Sequence, residues 1–251
     1  MRVGIIGFGD MGRSLTTGLI KGGVSKENIV IHDSSERAVK KAQAMNIPAM
    51  EIKDLVACSD AVIFTIPKKP FMEKDLSDCD FGGKLVISCM AEVTMAELKQ
   101  RFDCQTVRVI PTLAAENGLS IVGVCFDGEP ENKEQIKTMF SKVGTVIECA
   151  ENELAPLTSL AACGLCYAAY ILNSFINTAE NLGFDRETGK DIVERTFNAA
   201  MELGDYELVI GRIAGRGGIT IKGVNVMNEG NVHKTIDKAF KTAYGELVKG
   251  Q

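Results

Sequence analysis

Val3-Gly4-Ile5-Ile6-Gly7-Phe8-Gly9-Asp10-Met11-Gly12 carries a short apolar run into three glycines spaced Gly-x-Gly-x-x-Gly, and a helical stretch from Arg13 to Lys21 follows. The order is strand (residues 2–6), glycine turn, helix. That spacing alone is a weak pattern, but directly after a strand and at the mouth of a helix it is the arrangement that holds a dinucleotide. Gly7 makes the tight turn, Gly9 lets the backbone approach a diphosphate, and Gly12 lets the helix pack closely on the sheet. Asp10 and Met11 lie between them at the helix start, where free N–H groups and the positive dipole end attract an anion. A glycine turn used only for packing is the alternative.

The next apolar run, Ile29-Val30-Ile31-His32, stops at Asp33, about 20 residues past Gly12, where a carboxylate is placed to bond the adenosine ribose hydroxyls. An acid there repels a 2′-phosphate and so favours NADH. Ser34, Ser35 and Arg37 together offer a site for that phosphate, which leaves NADPH open, and Asp33 could also simply begin the turn. Ser34 or Ser35 caps a helix running to Met45.

Working outward, strands are expected at residues 61–66 (ended by Pro67), 84–88 and 106–110 (closed by Pro111), with helices near 52–58 and 94–101. Continuous apolar strands alternating with helices predict a parallel sheet covered on both faces, a doubly wound α/β domain. Residues 119–126 and 145–147, with a helix at about 130–142 between them, read as its last strands. After residue 150 the strand pattern ends and helical windows at about 152–182, 186–203 and 230–248 take over. Two domains follow: 1–150, which binds the dinucleotide, and 151–251, all helical.

Composition limits the function classes. With 251 residues, 45% hydrophobic and 24% charged, the chain is long enough for two real cores and too apolar for disorder. A net charge of −5 gives no basic field for a nucleic-acid backbone. Glycine, 25 residues, is in excess, as tight turns and backbone approach to a ligand require. No secretory signal opens the chain, and eight scattered cysteines in apolar runs read as reduced thiols of a cytoplasmic protein. The uncharged stretch Leu154–Ala179 is long enough to span a bilayer. It contains Pro156 and Asn173, however, and acidic Glu151 and Glu153 precede it in place of basic flanks, so a helix hidden in a domain or dimer core is expected rather than a membrane span. Cys163-x-x-Cys166 reads as helix packing, substrate contact or a redox pair. With His32 and His233 the only histidines, no metal site is expected.

Taken with Gly83-Lys84-Leu85-Val86-Ile87-Ser88, Val107-Arg108-Val109-Ile110-Pro111, Phe140-Ser141-Lys142-Val143-Gly144, Leu157-Thr158-Ser159-Leu160, Cys163-Gly164, Tyr167 and Gly217-Gly218-Ile219-Thr220-Ile221-Lys222-Gly223, the glycine turn makes the chain resemble the pyrroline-5-carboxylate reductases over nearly its whole length. The resemblance implies a Rossmann domain, then a helical domain that dimerises by interlocking, and hydride transfer from NAD(P)H to a cyclic imine bearing a carboxylate, giving proline. It places Ile66 and Pro67 beside the nicotinamide, with Lys68 and Lys69 unassigned because Ile66-Pro67-Lys68-Lys69-Pro70 aligns in more than one register. It assigns the substrate carboxylate to Gly217, Gly218 and Thr220, with Cys163 and Gly164 also at the substrate. Thr220 either donates a hydrogen bond to substrate as the catalytic residue or serves only as a helix-start contact.

The chain departs from the family where Ser-Gly-Ser-Gly-Pro-Ala-Tyr is usual: it has Ala161-Ala162-Cys163-Gly164-Leu165-Cys166-Tyr167, which removes two hydroxyls and a proline. Gly215-Arg216 replaces Ser-Pro, and Arg216 is either a carboxylate contact or an exposed cation. A reductase of another imine or carbonyl acid, and a nucleotide-binding relative without catalysis, are the alternatives.

Overall fold

A computed structural model describes residues Met1–Gly250. The chain divides into two compact units: Met1–Ala162 together with the residues from Tyr244 onward, and Cys163–Ala243.

The first unit is built on seven strands: β1 (Val3–Ile6), β2 (Ile29–His32), β3 (Ala61–Phe64), β4 (Leu85–Ser88), β5 (Gln105–Ile110), β6 (Ser120–Phe126) and β7 (Gly144–Glu148). They form one sheet in the order β2-β1-β3-β4-β5-β6-β7. Every residue of β1, β3 and β4 is buried, as a strand covered on both faces requires. Alternate residues serve opposite cores. Ile5, Ile31, Ile63, Ile87 and Val107 meet Leu15, Leu19 and Phe140 on one face. On the other, Ile6, Val30, Val62, Phe64 and Val86 meet Leu55, Phe71, Leu98 and Phe102. Phe64, Phe71, Phe81 and Phe102 stack there with ring centroids 4.8–6.4 Å apart.

The expected wholly parallel sheet needs one correction. β6 runs antiparallel to β5, and β7 then runs parallel to β6. Only residues 111–119, with a single 3₁₀ turn at Leu113–Asn117, join β5 to β6. A parallel crossover needs a dozen or more residues, so the chain turns back instead. Between β6 and β7 the connection carries a helix, α6 (Lys133–Ser141), and the parallel sense returns.

Helices α1 (Asp10–Lys21), α2 (Glu36–Ala44), α3 (Ile52–Cys58), α4 (Lys68–Glu73), α5 (Met95–Arg101) and α6 cover the sheet. α4 is absent from the sequence reading. Pro67 ends β3 early, at Phe64 rather than Ile66, and then serves as the N-cap of α4 with its ring pre-set for the turn. Thr94 caps α5 through a reciprocal box with Glu97.

The expected continuous helix over 152–182 is interrupted. α7 (Glu151–Thr158) belongs to the first unit, a π turn occupies Ser159–Cys163, and α8 (Gly164–Asn181) follows in the second. Pro156 has no amide for the Asn152 carbonyl, and the Thr158 hydroxyl takes the Leu154 carbonyl (2.6 Å) just before the backbone widens. α9 (Arg186–Leu203), α10 (Tyr206–Ile213), α11 (Ile219–Glu229) and α12 (Val232–Gly250) complete the chain. The sequence reading lacks α10, although Asp205 caps it by accepting the Leu208 N–H (3.0 Å).

α8 is not hidden within the chain. Leu165, Tyr170 and Phe175 are exposed on it, and Ile176 and Ala179 are its buried residues. The stretch Glu151–Asn181 is long and apolar enough to cross a membrane by length and composition.

Candidate active site

The strand order reverses at β1, with β2 on one side and β3 on the other, which is where a doubly wound sheet opens a crevice at its carboxyl ends. The glycine turn lies there. Gly7 has φ of +101°, a conformation that favours glycine, and its N–H donates to the His32 carbonyl (2.8 Å). The Thr65 hydroxyl donates to the Gly7 carbonyl (2.7 Å) and closes the turn from β3. A Cβ on Gly12 would strike that same carbonyl oxygen and would lie 2.8 Å from the Thr65 hydroxyl. Gly12 is therefore fixed by packing.

Gly9 differs: no heavy atom lies within 4 Å of where its Cβ would be. The fold itself does not require glycine there, so the space beside it is left for something else. Gly9 is the N-cap of α1, and the first helical bond runs from the Arg13 N–H to its carbonyl (3.0 Å). The N–H groups of Asp10, Met11 and Gly12 precede that bond and lack helical acceptors. An uncrowded backbone beside three free donors at a helix start fits a diphosphate, so the residues present suit a dinucleotide coenzyme.

The Asp33 carboxylate joins the two halves of this crevice. One oxygen accepts the Phe8 N–H (2.6 Å) and the other the Ser35 N–H (2.8 Å). Asp33 is thus held rigidly beside the turn, and each oxygen keeps a further lone pair for a hydroxyl. Ser34, Glu36, Val39, Lys40 and Gln43 line the hollow next to it. On the other side, Ile66 packs over Gly7, its Cγ2 only 2.6 Å from where a Gly7 Cβ would be, while Pro67 is exposed. The structure therefore gathers Gly7, Gly9, Asp10, Met11, Gly12, Asp33 and Ile66 at one edge of the sheet, with Ser34 and Pro67 as its flanks. Thr65 is a member the sequence reading missed; its only signal is a hydroxyl in an otherwise apolar strand end.

A second missed residue is Arg108 on β5. Its side chain is wholly buried. Nη1 donates to Glu151 Oε1 (2.8 Å), Nη2 donates to the Ala91 carbonyl (2.8 Å), and Nε is buried without a partner. Glu151 Oε1 also accepts the Met95 N–H at the start of α5 (2.6 Å). One ion pair thus ties β5, the loop after β4, α5 and the first residue of α7. Its signal in the sequence is a lone cation inside the apolar strand Val107–Ile110.

The substrate residues expected from the resemblance lie in the second unit. Gly217 has φ of +82°, and Gly218 donates its N–H to the Gly215 carbonyl (3.1 Å) and caps α11 with no side-chain bond. Thr220, in the first turn, is exposed, and its hydroxyl makes no hydrogen bond among the described residues. Cys163 and Gly164 are half-buried at the junction of the π turn and α8. No hydrogen bond among the described residues links them to the Gly217–Thr220 turn.

Burial pushes several thiols up: Cys89, half-buried after β4, rises well above its usual range, and Cys104 and Cys125 rise to about 11. Neutral thiols are poor nucleophiles, so at neutral pH these three should resist alkylation while the exposed Cys166 reacts. Mapping modified peptides by mass spectrometry checks this, and rapid labelling of the buried Cys125 would contradict it.

Comparison with known proteins follows the same division. The model of the pyrroline-5-carboxylate reductase dimerisation family matches residues 151–248, and that of the family described as NADP oxidoreductase, coenzyme F420-dependent, matches residues 2–92. A pyrroline-5-carboxylate reductase of Aquifex aeolicus is 25% identical across 97% of this chain and 96% of its own length. One of Corynebacterium melassecola is 27% identical across 80% and 78%. In fold, the chain is similar to the Plasmodium falciparum pyrroline carboxylate reductase solved with NADP bound (TM-score 0.92, 20% identity, 100% and 98% covered). It is also similar to the 1-pyrroline-5-carboxylate reductase of Streptococcus pyogenes (TM-score 0.90, 22% identity, 98% of each covered). Residues 151–248 thus match the pyrroline-5-carboxylate reductase dimerisation family, and the chain as a whole is similar, nearly end to end, to pyrroline-5-carboxylate reductases.

Proposed function

We propose that the protein is an NAD(P)H-dependent pyrroline-5-carboxylate reductase. The observation that carries the proposal is the open space at Gly9 beside the free N–H groups of Asp10, Met11 and Gly12, in a chain similar to these reductases. The bound nicotinamide would supply the hydride. In the overall reaction a hydride adds to the imine carbon, the carbon–nitrogen π bond breaks, and the nitrogen takes a proton.

The protein's own part is to bind, orient and polarise. The glycine turn holds the diphosphate, Asp33 the adenosine ribose, and Ile66 and Pro67 flank the nicotinamide. The Gly217–Gly218 turn lets the substrate carboxylate approach the free N–H groups that open α11, and the Thr220 hydroxyl donates to the substrate. Cys163 and Gly164 form part of the substrate wall. Arg216 makes no hydrogen bond or ion pair among the described residues and is available to the same carboxylate.

The exposed apolar residues of α8, within the segment matched by the dimerisation model, support a homodimer in which a second copy covers them. The thiol-rich composition supports a reducing, cytoplasmic setting. We assign domain roles as 1–150 for the coenzyme and 151–251 for dimerisation and substrate.

For the coenzyme, the fixed carboxylate of Asp33 favours NADH, while Ser34, Ser35 and Arg37 offer polar and cationic groups to a 2′-phosphate. Asp33→Ala should shift the NADPH-to-NADH ratio of kcat/KM toward NADPH by about tenfold, the effect of removing one charge-assisted bond. An unchanged ratio would place the ribose elsewhere. Thr220→Val tests the substrate assignment: kcat/KM for the imine should fall about tenfold or more with coenzyme binding unaltered. Full activity in this variant would reduce Thr220 to a helix-start residue. Turnover with another cyclic imino acid, and none with pyrroline-5-carboxylate, would favour the reading suggested by the altered 161–167 segment.

A further inference from the structure

Lys68 is the first residue of α4, directly after Ile66 and Pro67, and its ammonium is spent entirely within the protein. It meets Glu97 Oε1 at 2.8 Å, the Glu92 carbonyl at 3.1 Å and the Gly250 carbonyl at 2.8 Å. An ammonium has three protons, and here each has an acceptor. The three acceptors come from three separate segments: Glu97 from the first turn of α5, Glu92 from the loop after β4, and Gly250 from the last turn of α12. With Lys68 itself, four segments converge on one charge.

The contacts support one another. Glu97 is also half of the Thr94 capping box, so its carboxylate is already fixed by α5. Burial alone would raise its carboxyl, but the bonds from Lys68 and Thr94 outweigh that and hold it below the usual range. The Gly250 carbonyl is among the last four of α12, which have no intrahelical donor and form the negative end of the helix dipole, so a cation suits it. A Cβ on Gly250 would lie 3.0 Å from Glu92 Cγ, so the last turn of α12 rests closely on the loop that Lys68 also holds.

The place of this cluster gives it a role. Phe64 and Ser88 are in register at the ends of the neighbouring parallel strands β3 and β4. The loops leaving those ends, Thr65–Pro67 and Cys89–Glu92, lie at the edge of the sheet where ligands of doubly wound folds bind. Lys68 joins both loops to α5 and to the last turn of α12. Its donors are filled, so it is not itself a contact for phosphate.

We propose that Lys68 is a positioning residue, and that the last turn of α12 is a strap which, through Lys68, holds the β3 and β4 loops in the arrangement that receives the nicotinamide half of the coenzyme. The inference rests on the coenzyme reading given above. It goes beyond that reading in assigning a role in coenzyme affinity to a helix end far along the chain from the glycine turn.

The test uses the full chain, Lys68→Met, Lys68→Arg, a chain ending at Leu247, and that truncation combined with Lys68→Met. Affinities for NADH and NADPH are read by coenzyme fluorescence, alongside thermal midpoints and steady-state kinetics. Lys68→Met and the truncation should each weaken coenzyme binding by about fivefold, and their combination no further, because both release one clamp. Lys68→Arg should recover part of the loss, and KM for the imine at saturating coenzyme should be unmoved. A purely structural role would lower the thermal midpoint and leave the affinity of the folded protein intact; that result overturns the inference. So does a combined variant whose loss is the product of the two. If Lys68→Met does not fold, the truncated chain alone decides by the same affinity readout. A wild-type chain that binds neither coenzyme would instead overturn the functional reading on which the inference rests.

Discussion

Glu151→Ala should cost the protein about 2 kcal/mol of folding stability, because it strips the counter-charge from a wholly buried guanidinium, while the partial exposure of Glu151 itself keeps the loss below that of a fully buried pair. The Arg108 side chain is fully buried on β5, between β4 and β6, and its Nε already lacks a partner. Without the Glu151 carboxylate, Nη1 loses its counter-charge and the Met95 N–H loses its acceptor in the same step. Arg108→Met should be milder than Glu151→Ala, because it removes the charge together with the need for a partner, although it frees the Glu151 carboxylate and the Ala91 carbonyl. Arg108→Met combined with Glu151→Leu should be milder still. Urea denaturation of the three variants checks the order, and the double variant proving the least stable would contradict it. Because Glu151 begins the segment that matches the dimerisation family, this pair also fixes where that segment leaves the sheet.

Gly9→Ala and Gly12→Ala should fail in opposite ways. At Gly9 a methyl group meets nothing within 4 Å, so the folded chain should keep its thermal midpoint. A diphosphate resting on the N–H groups of Asp10 and Met11 would be pushed outward, at a loss of about 2 kcal/mol, or about thirtyfold in Kd. At Gly12 the methyl group would press into the Gly7 carbonyl and the Thr65 hydroxyl, and overpacking of that kind costs about 1–3 kcal/mol of stability before any ligand is considered. Calorimetric titration with coenzyme, paired with thermal melts, separates the two. Equal coenzyme affinity in Gly9→Ala and wild type would mean that no phosphate approaches this turn.

Much of this architecture could be read from periodicity. Strands of four apolar residues at β1, β3 and β4 are buried on both faces and carry no polar residue to blur the pattern, apart from the terminal Ser88. The glycine turn could be read because each glycine answers a different constraint: a positive φ at Gly7, open space at Gly9 and contact at Gly12. What escaped the sequence depends on pairings between distant residues. The reversal at β6 follows from the length of the 111–119 link, which acquires meaning only when its two strands are seen to be neighbours. α4 escaped because Pro67 and Pro70 read as breakers, whereas Pro67 caps and Pro70 falls in the first turn, where a missing amide does no harm. Arg108 and Lys68 escaped because a cation's partners, here Glu151 and the Gly250 carbonyl, lie 43 and 182 residues away. The proposed substrate role of Gly217, Gly218 and Thr220 rests on family resemblance, supported by a hydroxyl without a hydrogen bond among the described residues and a glycine-led helix start.

The most direct measurement is to mix the purified wild-type protein with NADPH or NADH and racemic pyrroline-5-carboxylate, and to follow coenzyme oxidation together with the amino acid formed. The account predicts one proline produced for each coenzyme consumed, with Gly9→Ala strongly impaired in the same assay. Coenzyme that binds yet is never oxidised by this imine, with no proline formed, would contradict it.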